Sequence, residues 1–261
     1  MGHAQVVALF EQSMPERYRA AYAPEAIREH AAIVARRAGL GVRVEASQHL
    51  ADGVVVLCIV ADDRPGLLSL ISASLVAHGI DILTVRAYTR SHPSTGRAEA
   101  VDFMSVRRAA ASALPPSPED LARITKTLTA LVTGEATLES ILSKNRIVSR
   151  APSPHASVRA AFGNPDQGKV VLTVETADRP GLLLAITQAL FRTGVQIVDS
   201  DATTREGQVL DRFTLIERDG TPLGYSRKRA VQTAVVSAIE ALGATTFNKS
   251  ASPSKASGSA W

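Results

Sequence analysis

The 261-residue sequence has a single cysteine, Cys58, and few aromatic side chains. One cysteine supplies neither an intrachain disulfide framework nor a zinc cluster. Phe, Trp and Tyr make up 4% of the residues, which is little for a surface that stacks nucleic-acid bases. No apolar run approaches the roughly 20 residues that a membrane-spanning helix needs, and the first residues lack a signal-peptide pattern. We therefore expect a soluble, cytoplasmic protein that does not enter a membrane.

Charge of one sign is not concentrated in the sequence either. The formal net charge is +4, and the basic residues are spread over residues 17–37, residues 144–159 and the C-terminal tail. A nucleic-acid-binding chain usually carries its basic residues as one patch or along one element. The sequence allows nucleic-acid binding but does not indicate it.

What the sequence does contain is an internal repeat. Residues 63–68 read Asp-Arg-Pro-Gly-Leu-Leu, and residues 178–183 have the same six residues in the same order. A run rich in β-branched residues precedes each copy, at residues 54–60 and 170–176. Such runs are typical of β-strands. The sequence therefore predicts two similar structural units, which share the function of the protein.

An amphipathic helix is predicted after each of these strands. Proline is favoured at the first helical position, because it has no N–H to lose and its φ is already near the helical value. The helices should therefore begin at Pro65 and Pro180. Apolar residues follow at the i, i+3, i+4, i+8 spacing of one buried face, and Gly79 and Gly194 are natural C-terminal stops.

A β-hairpin and a second helix complete each unit. The hairpin strands are predicted at residues 80–89 and 100–106 in the first copy, and at residues 195–204 and 209–216 in the second. The second helix of the first copy has a strong start signal at Ser117, a capping hydroxyl followed by proline and two acids. The predicted order is β-α-β-β-α, twice.

Two features concern the edges and faces of the sheets. Strand-like segments precede the two units at residues 41–44 and 157–160, and we predict that they pair with a sheet edge. The run at residues 54–60 is apolar at every position, as in a strand that is buried on both faces. We therefore predict that the first sheet packs against the second domain or against a second chain.

The repeat divides the chain into two small domains with flanking segments. We predict an N-terminal helical segment at residues 1–40, a first domain at 41–145, a linker at 146–156, a second domain at 157–247 and a tail at 248–261. The tail is mostly Ser, Ala, Gly, Pro and Lys, a composition typical of disorder. The predicted fold class is α+β.

The unit that opens with Asp-Arg-Pro-Gly-Leu-Leu resembles the ACT domain, a small ferredoxin-like regulatory module that binds amino acids and related metabolites. Two copies cover most of residues 41–247. The pair resembles the C-terminal regulatory region of the PII uridylyltransferases, in which tandem ACT domains respond to glutamine. Met-Pro-Glu-Arg-Tyr at residues 14–18, Pro-Glu-Ala-Ile at 24–27 and the strand at 158–162 add to this resemblance. It implies two ferredoxin-like ACT domains in tandem, each βαββα plus an added strand, after a helical segment.

The catalytic motifs of those enzymes are missing from this sequence. Their nucleotidyltransferase domain has a glycine-rich turn before an Asp-x-Asp metal pair, and a second domain is a metal-dependent His-Asp hydrolase. This sequence has no His-Asp dipeptide, and its Asp199-Ser200-Asp201 falls on a predicted strand without the glycine turn. The two carboxylates share one strand face and either hold a divalent ion or form a solvated surface. We expect no enzyme activity, no catalytic residues, no cofactor and no bound metal.

The repeated turn is the predicted ligand site. A helix N-terminus presents free N–H groups and a positive dipole end to a carboxylate, and glycine lets a ligand approach the backbone. Aspartate can meet an α-ammonium group, and arginine can bind a carboxylate. The resemblance adds the start of the next strand, because ACT ligands often bridge one domain's turn and a neighbouring domain's strand. The candidate ligand-binding residues are Asp62, Asp63, Arg64, Pro65, Gly66, Leu67, Asp81, Ile82, Asp178, Arg179, Pro180, Gly181, Leu182, Gln196 and Ile197.

These residue types also have structural interpretations. Aspartate just before a helix is a preferred cap, and Pro-Gly is ordinary turn chemistry. Arginine, and an Asp or Gln at a strand end, are mostly exposed in proteins. The recurrence of the whole turn in both copies favours the functional interpretation.

Three functions remain open. The first is a non-catalytic regulatory protein that binds a small amino acid, glutamine by resemblance, and transmits it to a partner in nitrogen or amino-acid metabolism. The second is a dimerisation or scaffold protein with this fold and no ligand. The third is an RNA-binding protein, because RNA-recognition domains share the strand order, although the third-strand candidates offer only Phe103 and Phe213 for stacking. We favour the first, with a second copy of the chain or a regulatory protein as the partner.

Overall fold

A computed structural model describes residues 2–37, 39, 41–109, 114–144, 157–163 and 170–250. The described helices are α1 (His3–Ser13), α2 (Glu16–Ala21), α3 (Pro24–Arg36), α4 (Leu67–Ala77), α5 (Pro118–Thr133), α6 (Leu138–Lys144), α7 (Leu182–Arg192) and α8 (Tyr225–Ser250). The described strands are β1 (Val42–His49), β2 (Val55–Asp62), β3 (Ile80–Ser91), β4 (Ala98–Arg108), β5 (Arg159–Phe162), β6 (Val170–Ala177), β7 (Val195–Arg205) and β8 (Gln208–Glu217). This mixture confirms the predicted α+β class.

Two predicted segments lie partly or wholly beyond the described part of the chain. The linker at residues 146–156 lies outside the described residues, as do residues 251–261 of the tail. Helix α8 continues to Ser250, into the predicted tail. Helix α6, which follows α5, was not predicted from the sequence.

The strands form one antiparallel sheet in the order β1-β2-β4-β3-β7-β8-β6-β5. Its first half (β1–β4) comes from the first repeat, and its second half (β5–β8) comes from the second. The halves join where β3 pairs with β7, from Thr84 opposite Thr203 to Ala87 opposite Ser200. The segments that precede the repeats form the edge strands β1 and β5, which confirms the prediction that they pair with a sheet edge.

Helices α4 and α7 begin at Leu67 and Leu182, two residues after the prolines where their starts were predicted. In both turns the residue after proline is a glycine in the left-handed region, with φ of +82° at Gly66 and +80° at Gly181. The Leu67 N–H donates to the Arg64 carbonyl over 3.1 Å. Proline followed by a left-handed glycine is the pattern of a type II turn. The prolines Pro65 and Pro180 therefore shape this turn, and the prediction that they open the helices was wrong.

One face of the sheet carries α4, α5, α7 and α8. Apolar side chains from these helices and from both halves of the sheet form one continuous core. Its fully buried members include Leu57, Ile71, Met104, Ile124, Leu172, Ile186, Phe213 and Val235. Because this core crosses the β3–β7 junction, the two repeats are packed together as well as hydrogen-bonded.

The N-terminal helices α1, α2 and α3 cover the opposite face of the first half. Phe10, Tyr18 and Ile33 from these helices pack with Cys58 of β2 and Phe103 of β4 in a second core. Val56, Cys58 and Val60 contact this core, whereas Val55, Leu57 and Ile59 contact the core on the other face, so both faces of β2 are apolar. The prediction that the second domain or a second chain covers this face was wrong, because the chain covers it with its own helices.

The corresponding face of the second half has no such cover among the residues that the structure describes. Strand β6 alternates, with Val170, Leu172 and Val174 buried towards the helices and Glu175 exposed. Such alternation is typical of an antiparallel sheet with one face in solvent. None of the described helices combines the length and apolar composition that crossing a bilayer requires.

Candidate ligand site between the two repeats

A cavity lies beside the junction where β3 and β7 separate. Their pairing ends at Ala87 and Ser200. The cavity walls come from both repeats and consist of residues 63–69, residues 87–89 of β3, Ala100 and Asp102 of β4, Thr187 and Phe191 of α7, and residues 195–199 of β7. The turn of the first repeat therefore faces the beginning of a strand from the second repeat.

Part of the predicted site comes together at this cavity. Its walls include Asp63, Arg64, Pro65, Gly66, Leu67, Gln196 and Ile197. Asp62 lies elsewhere, because its Oδ1 pairs with Arg37 Nη2 at 2.6 Å. Pro180, Gly181, Leu182 and Ile82 are not among the residues that line this cavity.

The second turn lies near the start of β3, on the other side of the junction. Arg107 of β4 lies 3.9 Å from the Asp81 carboxylate. Burial raises the pKa of Asp178, and the charge of the same Arg107 partly offsets that rise. Arg107 therefore lies close enough to act electrostatically on Asp81 of the first repeat and on Asp178 of the second. Since β3 and β7 run antiparallel, this arrangement mirrors the pairing of the first turn with β7.

Asp63 is an acid in the wall of the first cavity. Its Oδ2 accepts a hydrogen bond from Thr89 Oγ1 at 3.0 Å. Burial raises the pKa of Asp63, and the bonds from Thr89 and from the Arg64 N–H offset part of that rise. Asp63 does not cap α4, because Gly66 occupies the cap position and no side chain bonds there.

Asp102 is a second acid in the same wall, and sequence reasoning missed it. Its side chain is buried, with 3% of the residue exposed. Burial and then the charge of Asp63 raise the pKa of Asp102 to about 8, although the Tyr88 N–H donates to its carboxylate. A buried carboxylate is costly unless it is paired, and the charge of Arg17 offsets only part of the rise in the pKa of Asp102.

The second repeat has the same acid at the equivalent place. Asp211 of β8 is opposite Ala202, as Asp102 of β4 is opposite Ala87. Burial and then the charge of Asp178 raise the pKa of Asp211 to about 7. The signal was present in the sequence, because aligning the two predicted hairpins places the two aspartates together.

Arg64 and Arg179 tie their turns to helices. Arg64 donates from Nη1 to the Val132 carbonyl near the end of α5. Arg179 donates from Nη1 to the Ile239 carbonyl of α8 at 3.4 Å, and from Nη2 to Thr176 Oγ1 at 3.1 Å. In both repeats the guanidinium thus bonds a carbonyl of the second helix, which fixes the turn against the core.

Comparison with known proteins identifies what this architecture is similar to. The chain is 30% identical over 209 residues to the bifunctional uridylyltransferase/uridylyl-removing enzyme of Rhodospirillum rubrum, and the alignment covers 78% of the chain. It is 23% identical over 229 residues to that of Phenylobacterium zucineum, and 26% identical over 186 residues to that of Azospirillum brasilense, covering 87% and 68% of the chain. The chain resembles a section of this enzyme.

That section is a small part of the enzyme. The alignments span 22%, 24% and 19% of the three uridylyltransferases. No protein-family model matches the chain. Among solved structures, the trimeric bacterial microcompartment shell protein PduB aligns over 82% of this chain and 84% of its own, with 11% identity and a TM-score of 0.25, too low to indicate a shared fold.

The two acids of the Asp199-Ser200-Asp201 motif lie in different environments. Asp199 forms an ion pair with Arg17 at 2.5 Å. Ser200 is buried, and Asp201 is exposed. Within the described part of the chain, no group of three or more His, Cys, Asp or Glu side chains has the geometry to hold a metal ion.

The two phenylalanines that an RNA-binding function would use are not accessible. Phe103 is 3% exposed and lies under the N-terminal helices, and Phe213 is 0% exposed in the helix-side core. Base stacking needs an exposed aromatic face. The structure therefore disfavours the RNA-binding alternative.

Proposed function

We propose that this chain is a non-catalytic regulatory module that binds a small amino acid between its repeats and transmits the binding to a partner in nitrogen or amino-acid metabolism. In this proposal residues 41–145 and 157–247 are tandem ACT domains. The partner is a second copy of the chain or another regulatory protein. The similarity to a section of the bifunctional uridylyltransferase/uridylyl-removing enzyme supports the nitrogen-related role.

The observation that carries the proposal is the meeting of the first turn with Gln196 and Ile197 of the second repeat. A ligand held there contacts both repeats at once. Binding then shifts the equilibrium between two arrangements of the repeats. The free energy of that shift equals the difference in the ligand's binding free energy for the two arrangements.

The cavity offers complementary groups for each end of an α-amino acid. Residues 66–69 form the N-terminus of α4 and line the cavity, and a helix N-terminus attracts a carboxylate. Asp63 and Asp102 provide carboxylates for the α-ammonium group, which would relieve their mutual repulsion. The amide of Gln196 can hydrogen-bond the side chain of the ligand. We favour glutamine because its own side-chain amide complements this group.

A second, related site is proposed around Asp178 and Asp211, beside Arg107 and Asp81. Its acids correspond to Asp63 and Asp102, but Asp81 occupies the place that Gln196 has in the first site. We therefore propose that the two sites differ in ligand preference.

Thermal unfolding against the twenty amino acids at millimolar concentration tests the function. A ligand at about a hundred times its dissociation constant adds roughly 2.7 kcal/mol, which is a shift of several degrees for domains of this size. We expect a shift for glutamine and few others, lost in Asp102→Asn and kept in the exposed control Glu135→Gln. A flat panel would contradict the proposal and favour the scaffold function.

A further inference from the structure

We propose that Arg17 couples the ligand cavity to the N-terminal helices α1–α3, so that filling the cavity changes how firmly these helices are held on the sheet. The inference rests on the function proposed above and names the element that would respond to the ligand.

Arg17 of α2 contacts three residues of the cavity wall. Its Nη2 donates to the Ala87 carbonyl, its Nη1 lies 2.5 Å from Asp199 Oδ1, and its guanidinium carbon lies 4.3 Å from the centroid of the Tyr88 ring. All three partners line the cavity. Ala87 and Tyr88 belong to the first repeat and Asp199 to the second. A single side chain therefore bridges the two repeats.

These contacts lie at an irregular part of the sheet. Pairing between β3 and β7 ends at Ala87, and the register of β7 shifts between Ile197 and Asp199. Such irregularities re-aim side chains and interrupt the ladder. As a result Asp199 and Tyr88 line the cavity and also a second hollow that contains Arg17. A ligand that moves either residue acts directly on Arg17.

The residue after Arg17 ties α2 into the N-terminal core. Tyr18 is fully buried, its ring meets Tyr88 edge to face at 5.3 Å between centroids, and its hydroxyl bonds His30 Nδ1 of α3 at 2.7 Å. A displacement of Tyr88 therefore alters the packing of Tyr18 in α2 and, through His30, of α3.

A second arginine holds α3 beside the first turn. Arg37 follows α3 and pairs with Asp62 and Glu99, each at 2.6 Å. Asp62 immediately precedes Asp63 of the cavity wall. Arg37 therefore holds α3 next to the first turn, and Arg17 joins α2 to Asp199 of the second repeat.

Hydrogen exchange measured by mass spectrometry on the full chain tests the coupling, with L-glutamine as the probe. We expect glutamine to change exchange in the cavity wall and in Glu16–Ala21 of α2. In Arg17→Ala the response of α2 should disappear while calorimetry still detects glutamine binding. Arg19→Ala removes an exposed arginine from the same helix, so it should respond like the wild type.

By reciprocity of linked binding, Arg17→Ala should also change the affinity for glutamine several-fold. An α2 response that persists in Arg17→Ala would overturn the coupling, as would a wild-type protein that binds glutamine without any change in α2. If no amino acid binds the wild type, the proposed function fails. The ligand-free arm then decides the coupling: Arg17→Ala, but not Arg19→Ala, should speed exchange at residues 195–199, and unchanged exchange there would refute it.

Discussion

The ring of Phe191 lies so close to Gly66 that a Cβ added to the glycine would be 2.7 Å from the ring's Cδ2 atom. This contact joins the first turn to helix α7 of the second repeat, at the wall of the cavity. Gly66 also has a positive φ, which disfavours any residue with a Cβ. Its counterpart Gly181 has nearly the same φ, but apart from its chain neighbours and its own helix no atom of the described residues lies within 4 Å of such a Cβ.

This difference predicts unequal costs for the same substitution. Gly66→Ala and Gly181→Ala both place alanine at positive φ, at about 1 kcal/mol each. Gly66→Ala must also push the Phe191 ring out of its contact, so it should cost about 1 kcal/mol more. Urea unfolding of the two variants measures the difference. Equal destabilisation would show that the close approach of Phe191 carries no energetic cost.

The buried acids predict a decline of stability with rising pH. The folded-state pKa of Asp102 is about 8 and that of Asp211 about 7, whereas an unfolded aspartate has a pKa near 3.9. Between these values the folded chain holds protons that the unfolded chain has lost, so stability falls as pH rises from about 4 to about 8. Urea unfolding at pH 6.5 and pH 8 should show this loss in the wild type.

Asp102→Asn should reduce that pH dependence, because asparagine has the same shape and does not titrate. Glu135→Gln, which changes an exposed acid, should leave it unaltered. If Asp102→Asn and the wild type lose the same stability between the two pH values, Asp102 is not the titrating group.

The buried His30 opposes this trend between about pH 4 and pH 6.5. Burial lowers the pKa of His30 to about 4, below the usual value near 6.5. As pH falls from 6.5 towards 4, the unfolded chain gains a proton that the folded chain does not, which destabilises the fold by up to about 1.4 kcal/mol per pH unit. His30→Gln should remove this loss, so that from pH 6.5 to pH 5 its free energy of unfolding in urea changes in a more favourable direction than that of the wild type. An unchanged slope would contradict this role.

Much of the fold could be predicted because the signals are local. Period-two and helical spacing gave the strands and helices, and the duplicated turn gave the repeat. The start of α4 was misplaced because proline suits both the first helical position and a type II turn, and Gly66 decides between them. The cover of β2 was misassigned because an apolar strand shows that both faces are buried but not what buries them.

The site was only partly predictable for a related reason. The turn residues form a contiguous motif, whereas Asp102 is a single acid within an apolar strand and gains its meaning from the spatial approach of Asp63. The contact of Arg17 with Asp199 depends on how α2 packs across the β3–β7 junction. No periodicity in the sequence encodes such long-range approaches.

The proposed ammonium site predicts that binding releases protons. Asp102, with a pKa of about 8, is largely protonated at pH 7, and an α-ammonium group beside it favours the carboxylate. Glutamine titrations in phosphate and in Tris at pH 7 should therefore give different apparent enthalpies. In Asp102→Asn any remaining binding should give the same enthalpy in both buffers. Identical enthalpies in the wild type would exclude Asp102 as the ammonium partner.

The central claim is that an amino acid binds between the repeats, and calorimetric titration of L-glutamine into the wild type and Asp102→Asn tests it most directly. We predict saturable binding to the wild type, and binding at least tenfold weaker to Asp102→Asn, since a charge-assisted bond contributes about 1.5–3 kcal/mol. Binding of equal strength to both proteins, or none of the twenty amino acids binding the wild type, would contradict the account.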